Sequence, residues 1–137
     1  MQSWTRTPLA CLLASLLSVA CGTVDPAPRA TTWGSDQASL VIVGNKATVQ
    51  VLASGGCYGS SGEISQAIPS GTFTVSGTYT ELMGAFPGYV QYAAEYSGSI
   101  AGDAMTLTIS IPSRQRTIGP FHLTAGVATS WAACMYP

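Results

Sequence analysis

The chain has 137 residues and a formal net charge of −1, and only 8% of its residues are charged. Typical soluble domains contain about 25% charged residues. Such a low charge excludes a basic footprint for nucleic acid and a polybasic surface for anionic lipids. We therefore expect Ser, Thr, Gly and Gln to keep the domain soluble. We also expect that the chain does not recognise a large charged partner by electrostatic attraction.

An uncharged apolar segment, residues 9–21, follows Arg6 near the start of the chain. A positive residue before an apolar stretch that is shorter than the roughly 20 residues of a membrane span is typical of a secretory signal peptide. Ser18-Val19-Ala20 resembles the small-x-small site of ordinary signal peptidase, which would release a secreted protein. The same residues followed by Cys21 resemble a bacterial lipobox, although Ser18 stands where Leu is usual.

The number of cysteines in the mature chain favours lipidation of Cys21. Cleavage of a signal peptide of residues 1–20 removes Cys11 and leaves three cysteines, Cys21, Cys57 and Cys134. If Cys21 carries lipid, the other two cysteines can pair, and an exported protein keeps no odd thiol. We expect a lipoprotein anchored to a bacterial membrane, facing the periplasm or the cell surface, with a freely secreted protein as the alternative. Stable anchoring takes two or more acyl chains, which a diacylglycerol and an amide-linked chain together provide.

Residues 21–32 predict a flexible linker, because they contain two prolines and little apolar surface. At about 3.1 Å per residue in an extended, polyproline-like state, such a linker reaches roughly 30 Å. Residues 33–137 then form one domain, since this length supports one modest core and not two.

From residue 33 onward the pattern predicts short strands joined by glycine-rich turns. Its clearest part is the alternation of Met105, Leu107, Ile109 and Ile111 with Thr and Ser, which is typical of a strand with one buried and one hydroxyl face. Other predicted strands are 38–43, 47–53, 57–64, 72–81, a partner strand from 90 to a turn at 101–103, 121–124 and a closing strand at 131–134. The tyrosines of 89–96 also fit a helical face, but their aromatic character and the following Ser-Gly-Ser-Ile favour a strand.

About eight short strands without a convincing amphipathic helix predict an antiparallel all-β domain. We expect a small closed β-barrel, because closure removes sheet edges that this chain has little charge to protect. A β-sandwich is the alternative.

Short motifs of glycine and aromatic residues are spread over residues 33–137. The most specific is Tyr96-Ser97-Gly98-x-Ile100-x-Gly102-Asp103-x-Met105-x-Leu107-x-Ile109. The others are Trp33-Gly34, Cys57-x-Gly59, Gly71-x-Phe73-x-x-x-Gly77-Thr78-Tyr79, Gly119-x-Phe121-x-Leu123-x-x-Gly126 and Cys134. Together they resemble a group of uncharacterised bacterial exported proteins. The resemblance implies a small β-barrel-like domain, often on a lipoprotein, and it brings no established activity and no catalytic residues.

The cysteines carry the first candidate chemistry. Cys57 and Cys134 are expected to form a structural disulfide, because a redox pair would favour a C-x-x-C spacing that is absent. Gly55-Gly56-Cys57-Tyr58-Gly59 formally matches a nucleophile elbow with cysteine in place of serine. That motif needs a strand-to-helix turn with a histidine and an acid nearby, so a secreted cysteine hydrolase is only a second alternative.

The histidine and the charged side chains give no pattern that is typical of a metal site or a cofactor site. His122 is the only histidine, and its alternation with Phe121 and Leu123 places it on the outer face of a strand. One histidine without clustered acids is a poor metal site. The acids are scattered along the chain, and Arg114 and Arg116 flank a predicted solvated turn.

Aromatic residues carry the only ligand hypothesis, and they are Trp33, Tyr89, Tyr92, Tyr96, Phe121 and Trp131. A barrel of about eight strands either fills its interior with side chains or holds one small ligand, and we expect it to be filled. The predicted function is a non-catalytic structural or binding module of the cell envelope. A lipocalin-like carrier of a small hydrophobic molecule, with a tyrosine-lined cavity, is the first alternative.

Overall fold

Eight antiparallel strands and one short 3₁₀ helix make up the computed structural model of the chain, which describes residues 31–52, 58–82 and 88–129. The elements are β1 (Thr31–Gly34), β2 (Ala38–Val43), β3 (Lys46–Leu52), β4 (Tyr58–Ile64), β5 (Gly71–Leu82), β6 (Tyr89–Ala101), β7 (Ala104–Ile111), the 3₁₀ helix (Pro112–Arg114) and β8 (Arg116–Ala125). Each strand pairs with the next along the chain, and β1 pairs with β8, so the sheet closes into a barrel. The predicted all-β barrel is confirmed, and the sandwich alternative is wrong.

Side chains alternate between the inside and the outside of the barrel as the sequence pattern predicts. In β7, Met105, Leu107, Ile109 and Ile111 are buried, whereas the residues between them are partly exposed. In β6, Ala94 and Tyr96 are buried, and the segment is a strand rather than a helix. Burying one large aliphatic side chain contributes roughly 1.5–3 kcal/mol, so these inward rows stabilise the barrel.

The interior of the barrel is filled by side chains from every strand. Each strand contributes at least one buried side chain. From β1 to β8, examples are Trp33, Leu40, Val49, Ile64, Tyr79, Tyr96, Leu107 and Leu123. An eight-stranded barrel has an interior just wide enough for such side chains. Buried side chains from all eight strands therefore form one core inside the barrel.

The two ends of the barrel are built differently. At the end that we call the hairpin end, tight turns at Gly44 and Gly102 connect β2 to β3 and β6 to β7, and both glycines have a φ of 63°. The left-handed backbone of such turns favours glycine. At the opposite end, the helix end, the 3₁₀ helix connects β7 to β8. The described chain enters at the hairpin end, because Thr31 pairs with Ile42.

Two boundaries differ from the sequence prediction by more than one residue. β1 begins at Thr31, so Thr31 and Thr32 belong to the barrel rather than to the linker. β8 begins at Arg116 instead of near residue 121, because its first half pairs with β7 despite its polar residues. The predicted closing strand 131–134 lies outside the described residues, and β1 supplies the eighth strand of the barrel.

The pairing between β1 and β8, which we call the β1–β8 join, is the shortest strand pairing in the barrel, because β1 is only four residues long. β1 pairs with β8 at two positions, Trp33 with Ala125 and Gly34 with Thr124. β5 and β6, in contrast, pair at twelve positions. The first half of β8 therefore has β7 on one side and, among the described residues, no strand on the other.

Candidate functional site

An open cleft of about 460 Å³ lies where β1 is too short to cover β8. It is lined by the residue before β2, the end of β3 and the middle of β8, namely Gln37, Val51, Leu52, Ile118, Gly119, Pro120 and Phe121. Small-molecule sites have volumes of roughly 300–1,000 Å³. Most of the lining residues are aliphatic or aromatic, but backbone and Gln37 atoms make nearly half of the exposed lining polar.

A β-bulge shapes the β8 wall of this cleft. Ile118 pairs with Ile109 and Phe121 pairs with Leu107, so Gly119 and Pro120 together oppose the single residue between them on β7. Gly119 has a φ of 101°, and a Cβ there would lie 2.9 Å from the Leu107 carbonyl oxygen. Proline, which has no N–H to donate to a ladder, is tolerated at bulges and sheet edges. The Gly-Pro pair thus suits a strand that is open on one side.

Two arginine contacts cross the mouth of the barrel at the helix end. Arg116, at the start of β8, donates a hydrogen bond to Oε1 of Glu81, at the end of β5. Since β6 and β7 lie between these strands, the ion pair joins strands that are not neighbours in the sheet. The Arg114 guanidinium lies over the Tyr92 ring, 5.5 Å from its centroid, in a cation–π contact. Both arginines are exposed as predicted, but each also makes a specific contact.

Tyr96 and Tyr79 place phenol groups inside the barrel. The Tyr96 hydroxyl donates a hydrogen bond of 2.6 Å to the Thr78 carbonyl oxygen. Gly62 leaves room for this hydroxyl, because a Cβ at that position would collide with it. Burial raises the pKa of Tyr96 above its ordinary value. Burial also raises the pKa of Tyr79, while a hydrogen bond with Ser60 opposes this rise. Both phenols therefore stay protonated at neutral pH and serve packing and hydrogen bonding.

Among the described residues, the aromatic side chains of the ligand hypothesis do not gather around this cleft. Trp33, Tyr96 and Phe121 are buried, whereas Tyr89 is 70% exposed. Only Phe121 lines the cleft, and none of the tyrosines does so. Trp131 lies outside the described residues. The indole N–H of Trp33 is buried, and among the described residues it has no hydrogen-bond partner.

The described part of the chain places His122 on the predicted strand face and gathers no set of metal ligands. His122 is exposed on the outer face of β8, as predicted. Within residues 31–52, 58–82 and 88–129, no group of three His, Cys, Asp or Glu residues could hold a metal ion. Over the same ranges, no helix has the length and hydropathy needed to cross a membrane.

Cys21, Cys57 and Cys134 lie outside the described residues, as do the first three residues of the elbow motif. Lipidation and the disulfide therefore stay predictions. The last described residue before each of the latter two cysteines, Leu52 or Thr129, is hydrogen-bonded to the connection between β1 and β2, at one corner of the barrel. Thr129 donates a hydrogen bond from Oγ1 to the Ser35 carbonyl oxygen at 2.9 Å, and the Leu52 N–H donates to the Gln37 carbonyl oxygen at 2.9 Å.

Sequence reasoning missed the cleft, because it arises from a mismatch in length between two strands that are distant along the chain. The Gly119-Pro120 pair is the local signal that could have indicated a bulge in β8. Comparisons of the chain with protein-family models, curated proteins and solved structures found no match.

Proposed function

We propose that this chain is a lipid-anchored, non-catalytic binding module of the bacterial cell envelope. Cys21 is the anchor, and the helix end of the barrel is the surface that meets a partner. One observation supports the orientation: Thr31, ten residues after Cys21, enters the barrel at the hairpin end.

The point at which the chain enters the barrel favours one orientation of the barrel relative to the membrane. Residues 22–30 separate the anchor from β1, and in an extended state they span at most about 30 Å. The first residue of β1 pairs beside the β2–β3 turn, so the hairpin end is nearest to the anchor. The helix end then faces away from the lipid surface.

The helix end has the chemistry of a recognition surface. Arg114 and Arg116 are two of the three cationic residues in 31–137, and both are exposed there. The half-buried ring of Tyr92 and the open cleft lie at the same end. Aromatic residues and arginine are the side chains most enriched at protein interfaces, so this surface favours a protein partner.

Metabolic labelling with a fatty acid tests the anchor directly. The wild-type chain and Cys11→Ser are expected to incorporate the label, because Cys11 lies in the signal peptide. Cys21→Ser is expected to lose it and to fractionate with soluble proteins. A wild-type chain that is exported without the label would contradict the proposal, whereas equal labelling of Cys21→Ser would place the lipid elsewhere.

A further inference from the structure

Tyr92 and Glu81 face the inside of the barrel where it opens at the helix end. Tyr92 on β6 pairs with the buried Tyr79 on β5, and residues that pair across two strands share one face of a sheet. Glu81 follows Tyr79 by two positions, so it lies on the same face, near the end of β5. Both side chains are partly exposed. The contacts of Arg114 with Tyr92 and of Arg116 with Glu81 therefore lie at the mouth of the barrel.

The turn between the two arginines directs their side chains to different strands. Pro112–Arg114 form the 3₁₀ helix, and Gln115 ends it with a φ of 48°, in the left-handed region. The Gln115 N–H donates a hydrogen bond to the Pro112 carbonyl oxygen at 3.1 Å. A residue other than glycine is uncommon in this conformation. With this turn in place, Arg114 lies over the Tyr92 ring of β6, and Arg116 reaches β5.

The charges at the mouth do not balance. Arg116 pairs with Glu81, whose side chain is 15% exposed. Among the described residues, Arg114 forms no ion pair and its guanidinium donates no hydrogen bond. The four other acids of residues 31–137 lie before β2, on the outer face of β4 and β6, and in the β6–β7 turn, and they are Asp36, Glu63, Glu95 and Asp103. The mouth therefore keeps one positive charge, that of Arg114.

Arg114 is suited to bind a carboxylate. Its guanidinium carries five N–H donors in one plane, and their spacing matches the two oxygens of a carboxylate. The cation–π contact with Tyr92 does not use these donors in hydrogen bonds. The same contact restrains the arginine side chain before a ligand arrives, which reduces the entropy that binding costs. An apolar ligand would leave these donors unused, so the arrangement favours an acidic one.

We propose that Arg114 binds an Asp or Glu side chain of the protein partner, with Tyr92 as the positioning residue that holds the guanidinium at the mouth. The proposal rests on the proposed function, because it names the chemistry by which that partner is recognised at the helix end. A single carboxylate is sufficient, which agrees with the low charge of the domain. Arg116 is less suited to this role, because Glu81 already neutralises it.

Photo-crosslinking in the cells that make the protein tests this proposal on the full, anchored chain. The photoreactive residue p-benzoylphenylalanine replaces Ser113, which is exposed beside Arg114 in the 3₁₀ helix. In a control chain it replaces Asn45, which is exposed in the β2–β3 turn at the hairpin end. We expect a crosslink to another protein from position 113 and none from position 45. Mass spectrometry is expected to find Asp or Glu in the crosslinked segment of the partner.

Substitutions at the mouth then separate the charge from the ring. Arg114→Gln is expected to lower the crosslinking yield about tenfold, because a hydrogen bond between charged groups contributes that much affinity or more. Lys46→Gln removes a cation at the hairpin end and is expected to leave the yield unchanged. Tyr92→Leu should lower the yield, whereas Tyr92→Phe, which keeps the ring, should not. Circular dichroism verifies that each variant is folded.

A charge exchange gives the sharpest result. Arg114→Glu is expected to abolish the crosslink, and replacing the acid of the partner by Arg is expected to restore it. Tyr92→Leu supplies a second reading if the variants of Arg114 do not fold. A yield that these variants leave unchanged, or a crosslinked segment without an acid, would overturn this inference and leave the proposed partner surface in place. Crosslinks from position 45 alone, or from neither position, would contradict that surface and the inference with it.

Discussion

Tyr96 shows at the scale of one residue how this barrel admits a polar group into its interior. The ring is fully buried, and its hydroxyl is satisfied by the Thr78 carbonyl oxygen at 2.6 Å. The space that it needs comes from glycine at positions 62 and 77, where a side chain would contact the Tyr96 ring or hydroxyl. A buried donor that keeps its partner avoids the desolvation cost of an unsatisfied group.

Removing this hydroxyl is expected to weaken the fold modestly. Tyr96→Phe loses one buried hydrogen bond, and the expected loss in the free energy of unfolding is about 1 kcal/mol. Urea denaturation followed by circular dichroism measures it. Tyr89→Phe is the matched control, because Tyr89 is 70% exposed and its substitution is expected to have no measurable effect. An equal effect of the two substitutions would contradict the role assigned to Tyr96.

The two buried phenols also predict how stability depends on pH. Burial raises the pKa of Tyr96 and of Tyr79 above 10.0, the ordinary value that the unfolded chain retains. Above this pH the unfolded state loses protons that the folded state keeps, so the free energy of unfolding falls as the pH rises. We expect the urea midpoint to be steady from pH 7 to 9 and to decrease beyond pH 10. Tyr96→Phe should make that decrease shallower, and a midpoint that rises with pH would contradict the burial of both rings.

At the scale of strands, stability follows the length of each pairing. β5 and β6 share twelve paired positions, whereas β1 and β8 share two. Local opening should therefore begin at the β1–β8 join, because few hydrogen bonds and few buried contacts resist it there.

Native-state hydrogen exchange measures this difference. The amides of β1 are expected to exchange through openings of low free energy, and those in the middle of β5 and β6 only through openings close to global unfolding. The hairpin of β6 and β7 serves as an internal comparison, since it pairs at seven positions. Uniform protection of all eight strands would show that the short join does not limit stability.

The strands were predictable where local pattern determines them. The alternation of Met105, Leu107, Ile109 and Ile111 with hydroxyl residues predicts β7 and its buried face, and burial confirms both. β1 has no such alternation, and it is a strand because of pairing with β2 and with distant β8. The cleft could not be predicted from the sequence either, because it depends on the unequal lengths of β1 and β8. The Arg116–Glu81 pair joins residues 35 positions apart, for which charge spacing along the sequence offers no signal.

At the scale of the whole molecule, the predicted disulfide would join the segment between β3 and β4 to the segment after β8, both of which follow residues at one corner of the barrel. Leu52 and Thr129 are held near that corner by hydrogen bonds to Gln37 and Ser35. Cys57 and Cys134 each follow one of these residues by five positions. Gln37 and Ser35 both lie in the connection between β1 and β2.

Mass spectrometry without a reductant is expected to find a peptide that links Cys57 to Cys134. Because the bond would close a long loop, reduction should lower the free energy of unfolding by up to about 4 kcal/mol in the chain-entropy model. Cys57→Ser should show the same loss, and adding a reductant to that variant should have no further effect. Two free thiols in the exported protein would contradict the pairing and reopen a thiol-based reaction.

Anchoring and orientation together determine what the molecule presents to its surroundings. Lys46, at the hairpin end, is the only lysine of the chain, and acylation of the N-terminus would leave it as the only amine. A dye on Lys46 can therefore report the distance of this end from lipid. In a Lys46→Arg, Ser113→Lys variant, the same dye reports on the helix end, because Ser113 is exposed in the 3₁₀ helix.

The most direct test is the quenching of these two dyes by spin-labelled lipids in vesicles that carry the purified native protein. We expect strong quenching at Lys46 and weak quenching at position 113, which would place the hairpin end at the membrane and the helix end in solution. Equal or reversed quenching would contradict the orientation, and no association of the protein with the vesicles would contradict the anchor itself.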